Sequence, residues 1–175
     1  YLDFDGFITF NGGYCVTKDE QVIYKNNIVE KDIRSLLDYA KQHPELTFSF
    51  MSEKEISLNQ VTPEVLKMYQ QVNVKTPPIR DYEANFDLES VMQINVFINP
   101  EEEAAFMENI MPNSIASRWT PIFADINPMG QSKKVGIDVF LEHYGIELSE
   151  TMSFGDGGND ITMLAHTQIG IGMGN

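Results

Sequence analysis

The sequence predicts an α/β fold in which a parallel α/β unit at the C-terminal end follows an α+β middle. Three observations predict it. After Gly130 the apolar spacing reads helix, strand, helix, strand, the alternation produced when crossover helices connect neighbouring parallel strands. From about residue 14 to residue 124 the pattern is a mixture of hairpins and amphipathic helices. Finally, the run Ser153 to Leu164, S-F-G-D-G-G-N-D-I-T-M-L, sets Asp156, Asn159 and Asp160 around a glycine pair where a strand feeds a helix, the sheet edge at which α/β proteins bind ligands.

Each element has a local cause. Residues 4 to 10 are largely apolar or β-prone and stop at Asn11-Gly12-Gly13, a strong turn signal. Tyr14 to Val16 and Val22 to Tyr24 flank Lys18-Asp19-Glu20-Gln21 as a hairpin. Glu30 to His43 places Ile33, Leu36, Leu37 and Ala40 on one helical face, and Pro44 closes it. Thr47 to Met51 and Glu55 to Leu58 read as strands, and Pro63 to Val72 as a helix with proline in its first turn. Thr76 to Asp87, with Pro77-Pro78 and several charges, reads as a loop. Val91 to Ile98 reads as a strand, and Pro100 opens a helix whose Glu101-Glu102-Glu103 sits at the positive end of its dipole. Ser114 to Trp119 and Ile122 to Ile126 are short strands parted by Thr120-Pro121. The closing alternation is Val135 to Tyr144 helical, Glu150 to Phe154 extended, Asn159 to Ala165 helical and Ile169 to Met173 extended. Both ends interrupt this pattern inside apparent strands, so the expectation is a piece of a longer protein.

Composition narrows the function classes. Twenty-six acidic against twelve basic residues give a net charge of -14, which repels nucleic acid and anionic membranes, and Lys133-Lys134 is the one adjacent basic pair. No apolar run approaches a membrane span. The single cysteine, Cys15, reads as a buried small hydrophobe in a reducing compartment, and a cytoplasmic location fits best. His43, His143 and His166 are scattered at helix ends without companion ligands. Arg118 and Trp119 either pack between the two units, the preferred reading, or meet a sugar face by stacking and hydrogen bonding, and Asp125 either touches a substrate or caps a turn.

Two pieces carry chemistry when taken together: Gly130-Gln131-Ser132-Lys133 and the Asp156 to Asp160 cluster. A lysine at the start of a helix, followed about twenty residues later by a strand ending in carboxylates, brings one positive and several negative groups to one sheet edge. A phosphate bridged by Mg²⁺ needs that mixture, because hard carboxylate oxygens hold the cation while the ammonium offsets charge on the phosphoryl oxygens. One turn of a Ca²⁺-binding glycine and aspartate repeat is a rival, but such turns come in arrays and this chain has one copy.

The stretches G-Q-S-K-K-V-G-I-D, S-F-G-D-G-G-N-D-I and I-G-I-G-M-G-N resemble the C-terminal half of a haloacid dehalogenase superfamily phosphatase of the Cof-type branch. The opening F-D-G-F-I-T-F-N-G-G is similar to the segment leading from that family's core into its large α/β cap. The resemblance runs end to end and implies a partial doubly wound (Rossmann-like) core with an α+β cap inserted into it: a core segment over residues 1–13, a substrate-specificity cap over 14–124 and the C-terminal part of the core over 125–175. It implies hydrolysis of a small phosphorylated metabolite, such as a sugar phosphate, through an aspartyl-phosphate with Mg²⁺, by a monomer or weak dimer. Carried over position by position, Lys133 contacts phosphate and nucleophile, Asp156 binds Mg²⁺, Asn159 hydrogen-bonds the phosphate, and Asp160 holds metal-bound water or braces the loop. Lys134 competes with Lys133, but the family pattern sets the functional lysine directly after Ser or Thr. Asp3-Phe4-Asp5-Gly6 imitates the family's D-x-D-G-T nucleophile motif. It lacks the Thr, has only two residues before it and runs at once into a turn, so the nucleophile is expected upstream of Tyr1 and this chain alone is expected to be inactive. The alternative class is a non-catalytic ligand-binding or interaction domain that keeps the architecture.

Overall fold

A computed structural model describes residues 3–71, 73–84 and 86–174. Tyr1, Leu2, the expected helix end at Val72, and Asn175 lie outside the described residues.

The chain opens with β1 (Gly6–Thr9), β2 (Tyr14–Thr17) and β3 (Val22–Lys25), which form an antiparallel meander. The reversal between β1 and β2 is sharp. Phe10 and Asn11 adopt left-handed backbone (φ 49° and 51°) and Gly12 follows at φ 98°. α1 (Glu30–Gln42) comes next, ending at His43 as its periodicity predicts. Then come β4 (Thr47–Met51), β5 (Ile56–Leu58), α2 (Pro63–Gln71), β6 (Gln93–Phe97), α3 (Pro100–Asn109), β7 (Ser114–Ser117) and β8 (Ala124–Pro128). The five strands among these pair antiparallel in the order β5-β4-β6-β8-β7.

Strand alternation gives this sheet two unlike faces. Phe48, Phe50, Ile94, Val96, Ala124 and Ile126 point to one side and pack with Ile33 and Leu36 of α1 and Phe106 of α3 into the main core. The other face is covered at one end by α2, where Leu58, Val65, Met68, Tyr69 and Phe123 form a second cluster. Elsewhere it is polar and still buried, presenting Ser49, Gln93, Asn95, Asp125 and Asn127. Apolar strands flanked by helices explain the first face, and the second implies a polar partner.

The C-terminal part is α4 (Lys133–Tyr144), β9 (Met152–Gly155), α5 (Ile161–His166) and β10 (Ile169–Gly172). β10 pairs parallel with β9, so the alternation read from the sequence is the α/β crossover it suggested. α4 lies tightly on the N-terminal meander: a Cβ on Gly136 would sit 2.4 Å from Ile8, and one on Gly6 would sit 2.4 Å from Phe140. Among the described residues no helix is long and apolar enough to cross a membrane.

At the expected 124/125 division β8 runs on, and Asp125 pairs with Asn95 and Ser117, so residues 124–128 lie in the five-stranded sheet. The hairpin of β2 and β3 hydrogen-bonds to β1 and packs under α4. Sequence periodicity is blind to cross-strand pairing of this kind.

Candidate active site

The expected site residues converge. Lys133, Asp156, Gly157, Asn159 and Asp160 line one cleft of about 350 Å³, with Trp119 forming a further wall. Local structure explains the convergence. β9 delivers Asp156 at its C-terminal end, and Gly157 starts a single 3-10 turn, Gly158–Asp160, before α5 begins. Gly155 is required by close approach, since a Cβ there would fall 2.6 Å from the Cβ of Asp160.

Asp160 is the brace of this loop. It is 5% exposed, forms an ion pair with the Lys133 ammonium, and its Oδ2 accepts the backbone N–H groups of Asp156 (3.0 Å) and Gly157 (3.1 Å). Burial alone would raise its pKa, but the Lys133 ammonium and the Gly157 and Asp156 amides outweigh it and hold the carboxyl below its ordinary value.

Lys133 is the first residue of α4, whose opening turn contains no acidic side chain. A cation at the positive end of a helix is locally unfavourable by about 0.3–1 kcal/mol. Here that arrangement concentrates positive potential where an anion would sit, and Asp160 compensates it. Lys134 is exposed, whereas Lys133 is half-buried in the cleft, which separates the two lysines as the family pattern does.

Asp156 is exposed at the cleft, and Asn159 is half-buried beside it. Among the described residues no three His, Cys, Asp or Glu side chains form a metal cage. Mg²⁺ does not need one: it keeps several waters and commonly binds through one or two carboxylates plus substrate phosphate. A single hard carboxylate, with Asp160 already committed to Lys133 and two amides, fits that mode.

Asp3 and Asp5 are not in the cleft. Asp5 precedes β1, its carboxylate is 83% exposed, and its neighbour is the Lys18 ammonium at 4.0 Å. The Arg118 guanidinium is consumed by structure: it pairs with Glu103 and donates to the carbonyls of Pro121 (3.1 Å) and Ile98 (3.0 Å). Trp119 is 54% exposed and stands on the cleft wall, edge-on to Phe123.

One residue at the site has no counterpart in the sequence reading. Asn11, legible only as a turn former, accepts a hydrogen bond from Asn159 Nδ2 at 3.4 Å. Its turn presses on the lysine segment so closely that a Cβ on Gly12 would lie 2.0 Å from the Ser132 carbonyl oxygen. The left-handed Asn-Gly pair was the available signal.

With this geometry in hand, comparison with known proteins is decisive. The family model for haloacid dehalogenase-like hydrolases matches residues 1–175. The chain belongs to that family. Within it, the chain is 33% identical over 177 residues to "Putative phosphatase YkrA" of Bacillus subtilis (strain 168), covering 99% of this chain and 66% of that protein. Among solved structures it matches the subclass IIB sugar phosphatase BT4131 (TM-score 0.86, 40% identity, 98% of this chain and 65% of that one). It also matches the phosphatase BT1666 of Bacteroides thetaiotaomicron (TM-score 0.87, 34% identity, 99% and 64%). The chain therefore spans about two thirds of the length of these relatives. The α/β fold and the membership in the haloacid dehalogenase-like family are as the motifs implied.

Proposed function

We propose that the protein to which this chain belongs is a Mg²⁺-dependent phosphomonoesterase acting on sugar phosphates or similar small metabolites. The observation that carries this reading is the single cleft in which a braced lysine, an exposed carboxylate and a carboxamide meet at the C-terminal edge of a parallel strand pair. The relatives named as phosphatases support it.

In this reading Lys133 binds a non-bridging phosphoryl oxygen and stabilises charge during transfer, and Asn159 donates to a second oxygen. Asp160 keeps Lys133 oriented and its loop closed. Asp156 would hold Mg²⁺, which when bound neutralises phosphate charge. The attacking carboxylate comes from residues outside this chain. It takes the phosphoryl group from the ester oxygen, the alcohol leaves with a proton, and water then cleaves the acyl phosphate to regenerate the carboxylate and release inorganic phosphate. The leaving group faces the five-stranded cap sheet, so specificity resides there, with Trp119 as one wall. A cytoplasmic, monomeric or weakly dimeric protein suits a soluble metabolite substrate. The reading holds that the 175-residue chain lacks turnover of p-nitrophenyl phosphate while the full-length protein shows it. Turnover by the isolated chain that Asp3→Ala abolishes would overturn the placement of the nucleophile.

A further inference from the structure

The polar face of the cap sheet is connected to the phosphate cleft by an unbroken series of side-chain amides, and the series has a direction. Asp125, 5% exposed at the centre of the sheet, accepts at Oδ1 from the side-chain amides of Gln93 and Asn95. Gln93 therefore turns its Nε2 toward Asp125 Oδ1 (3.2 Å), which leaves its Oε1 to accept from Asn127 Nδ2 (3.1 Å). With its amide nitrogen so used, Asn127 offers Oδ1, which accepts from Asn11 Nδ2 at 3.0 Å. Asn11 in turn offers Oδ1 to Asn159 Nδ2. Each amide has two faces, one donor and one acceptor, and fixing the first fixes all the others.

The consequence falls on the cleft. A phosphate oxygen needs a donor, and a carboxamide rotated by half a turn would present an oxygen and repel it. We propose that Asp125 is a positioning residue. Through Gln93, Asn127 and Asn11 it holds the Asn159 carboxamide with its NH₂ toward the phosphate, so that cap and phosphate loop are registered by hydrogen-bond polarity. This rests on the phosphatase reading above, because Asn159 acquires its task only there. The strained turn fits the same role. Phe10 and Asn11 are consecutive left-handed residues, a conformation that persists only where the surroundings over-determine it, and Asn127 Nδ2 and Gln131 Nε2 both donate to the Phe10 carbonyl, at 3.5 and 2.6 Å.

The test uses the full-length protein with Asp125→Asn, Asn11→Gly, Asn159→Ala and the double variant Asp125→Asn with Asn159→Ala. The readouts are KM and kcat for several phosphate esters and inhibition by inorganic phosphate. Asp125→Asn preserves shape but lets the series run in either direction. Asn11→Gly keeps a backbone that accepts positive φ, so its melting temperature should stay within about 3 °C of the parent while the amide link is lost. Asp125→Asn and Asn11→Gly are each expected to weaken inorganic phosphate binding and raise KM for every ester by about 3- to 10-fold, whatever the alcohol, with kcat changed less than about 2-fold. In the Asn159→Ala background, Asp125→Asn is expected to add less than about 2-fold, because the group it orients is gone. A purely electrostatic role for Asp125 gives the opposite sign, since removing a negative charge near the cleft tightens phosphate binding. Tighter binding, independent additive effects, or a loss that varies with the leaving group would each overturn the proposal. A wild-type protein without phosphatase activity would overturn the functional reading itself and this inference with it.

Discussion

Replacing Asp160 tests the internal logic of the site without any substrate. Asp160→Ala removes three partners at once: the Lys133 ammonium and the amides of Asp156 and Gly157. Breaking a fully buried ion pair costs about 3–5 kcal/mol. The Lys133 side chain is 30% exposed, so water compensates part of that, and the pair is assigned about 1–2 kcal/mol. Two loop amides losing a charged acceptor add about 1–2 kcal/mol more. The sum, about 3 kcal/mol, corresponds to a fall in melting temperature of about 6–12 °C for a domain of this size. Asp160→Asn keeps an acceptor for the amides and should fall roughly half as far. The sign of the pH dependence follows from the lowered pKa of Asp160. Its stabilisation is fully present above the unfolded carboxyl's pKa of about 3.9 and is lost as pH falls through the lower folded value. Thermal denaturation followed by circular dichroism at pH 7 should show the full gap between parent and Asp160→Ala, and the gap should narrow below about pH 4. An Asp160→Ala protein with unchanged melting temperature at pH 7, or a gap that does not narrow in acid, would refute the bracing role.

Other outcomes follow from the same geometry. In the full-length protein Lys133→Met should lower kcat/KM by about 100-fold or more, while Lys134→Met should stay within about 2-fold, measured by phosphate release. Cys15 is fully buried against α4 and its thiol is pushed up to about 11 by burial, so the native protein at pH 8 should react with a disulfide reagent far more slowly than the urea-unfolded chain. Equal rates would contradict the packing of α4 on the meander. Gly12→Ala combines φ 98° with a Cβ 2.0 Å from the Ser132 carbonyl oxygen, and should destabilise by about 3 kcal/mol or more, read as soluble yield and melting temperature.

What could be read from the sequence was what is local. The Glu30–Gln42 helix shows its periodicity and its stop at Pro44, and β9 through β10 shows the crossover alternation. The candidate site loop was equally legible, because Asp156, Asn159 and Asp160 lie within five residues of one another on a common turn. Lys133 required only one long-range step, the packing of one crossover helix beside the next. Asn11, Asp125 and Asn127 were not legible as a set. Asn11 and Asn127 stand 116 residues apart, and their meeting depends on the turn after β1 packing on β8. Asp125 illustrates the difficulty: alternation along β8 reveals a polar position, but not that the opposite strand supplies Asn95 and Gln93 to satisfy it.

The most direct measurement is the release of inorganic phosphate from a panel of sugar phosphates and nucleotides by the full-length protein, with and without Mg²⁺, for the parent and Asp156→Ala. The account predicts Mg²⁺-dependent hydrolysis of at least one sugar phosphate by the parent and a loss of about 1,000-fold or more in the variant. Undiminished turnover by Asp156→Ala, or parental turnover indifferent to Mg²⁺, would contradict it.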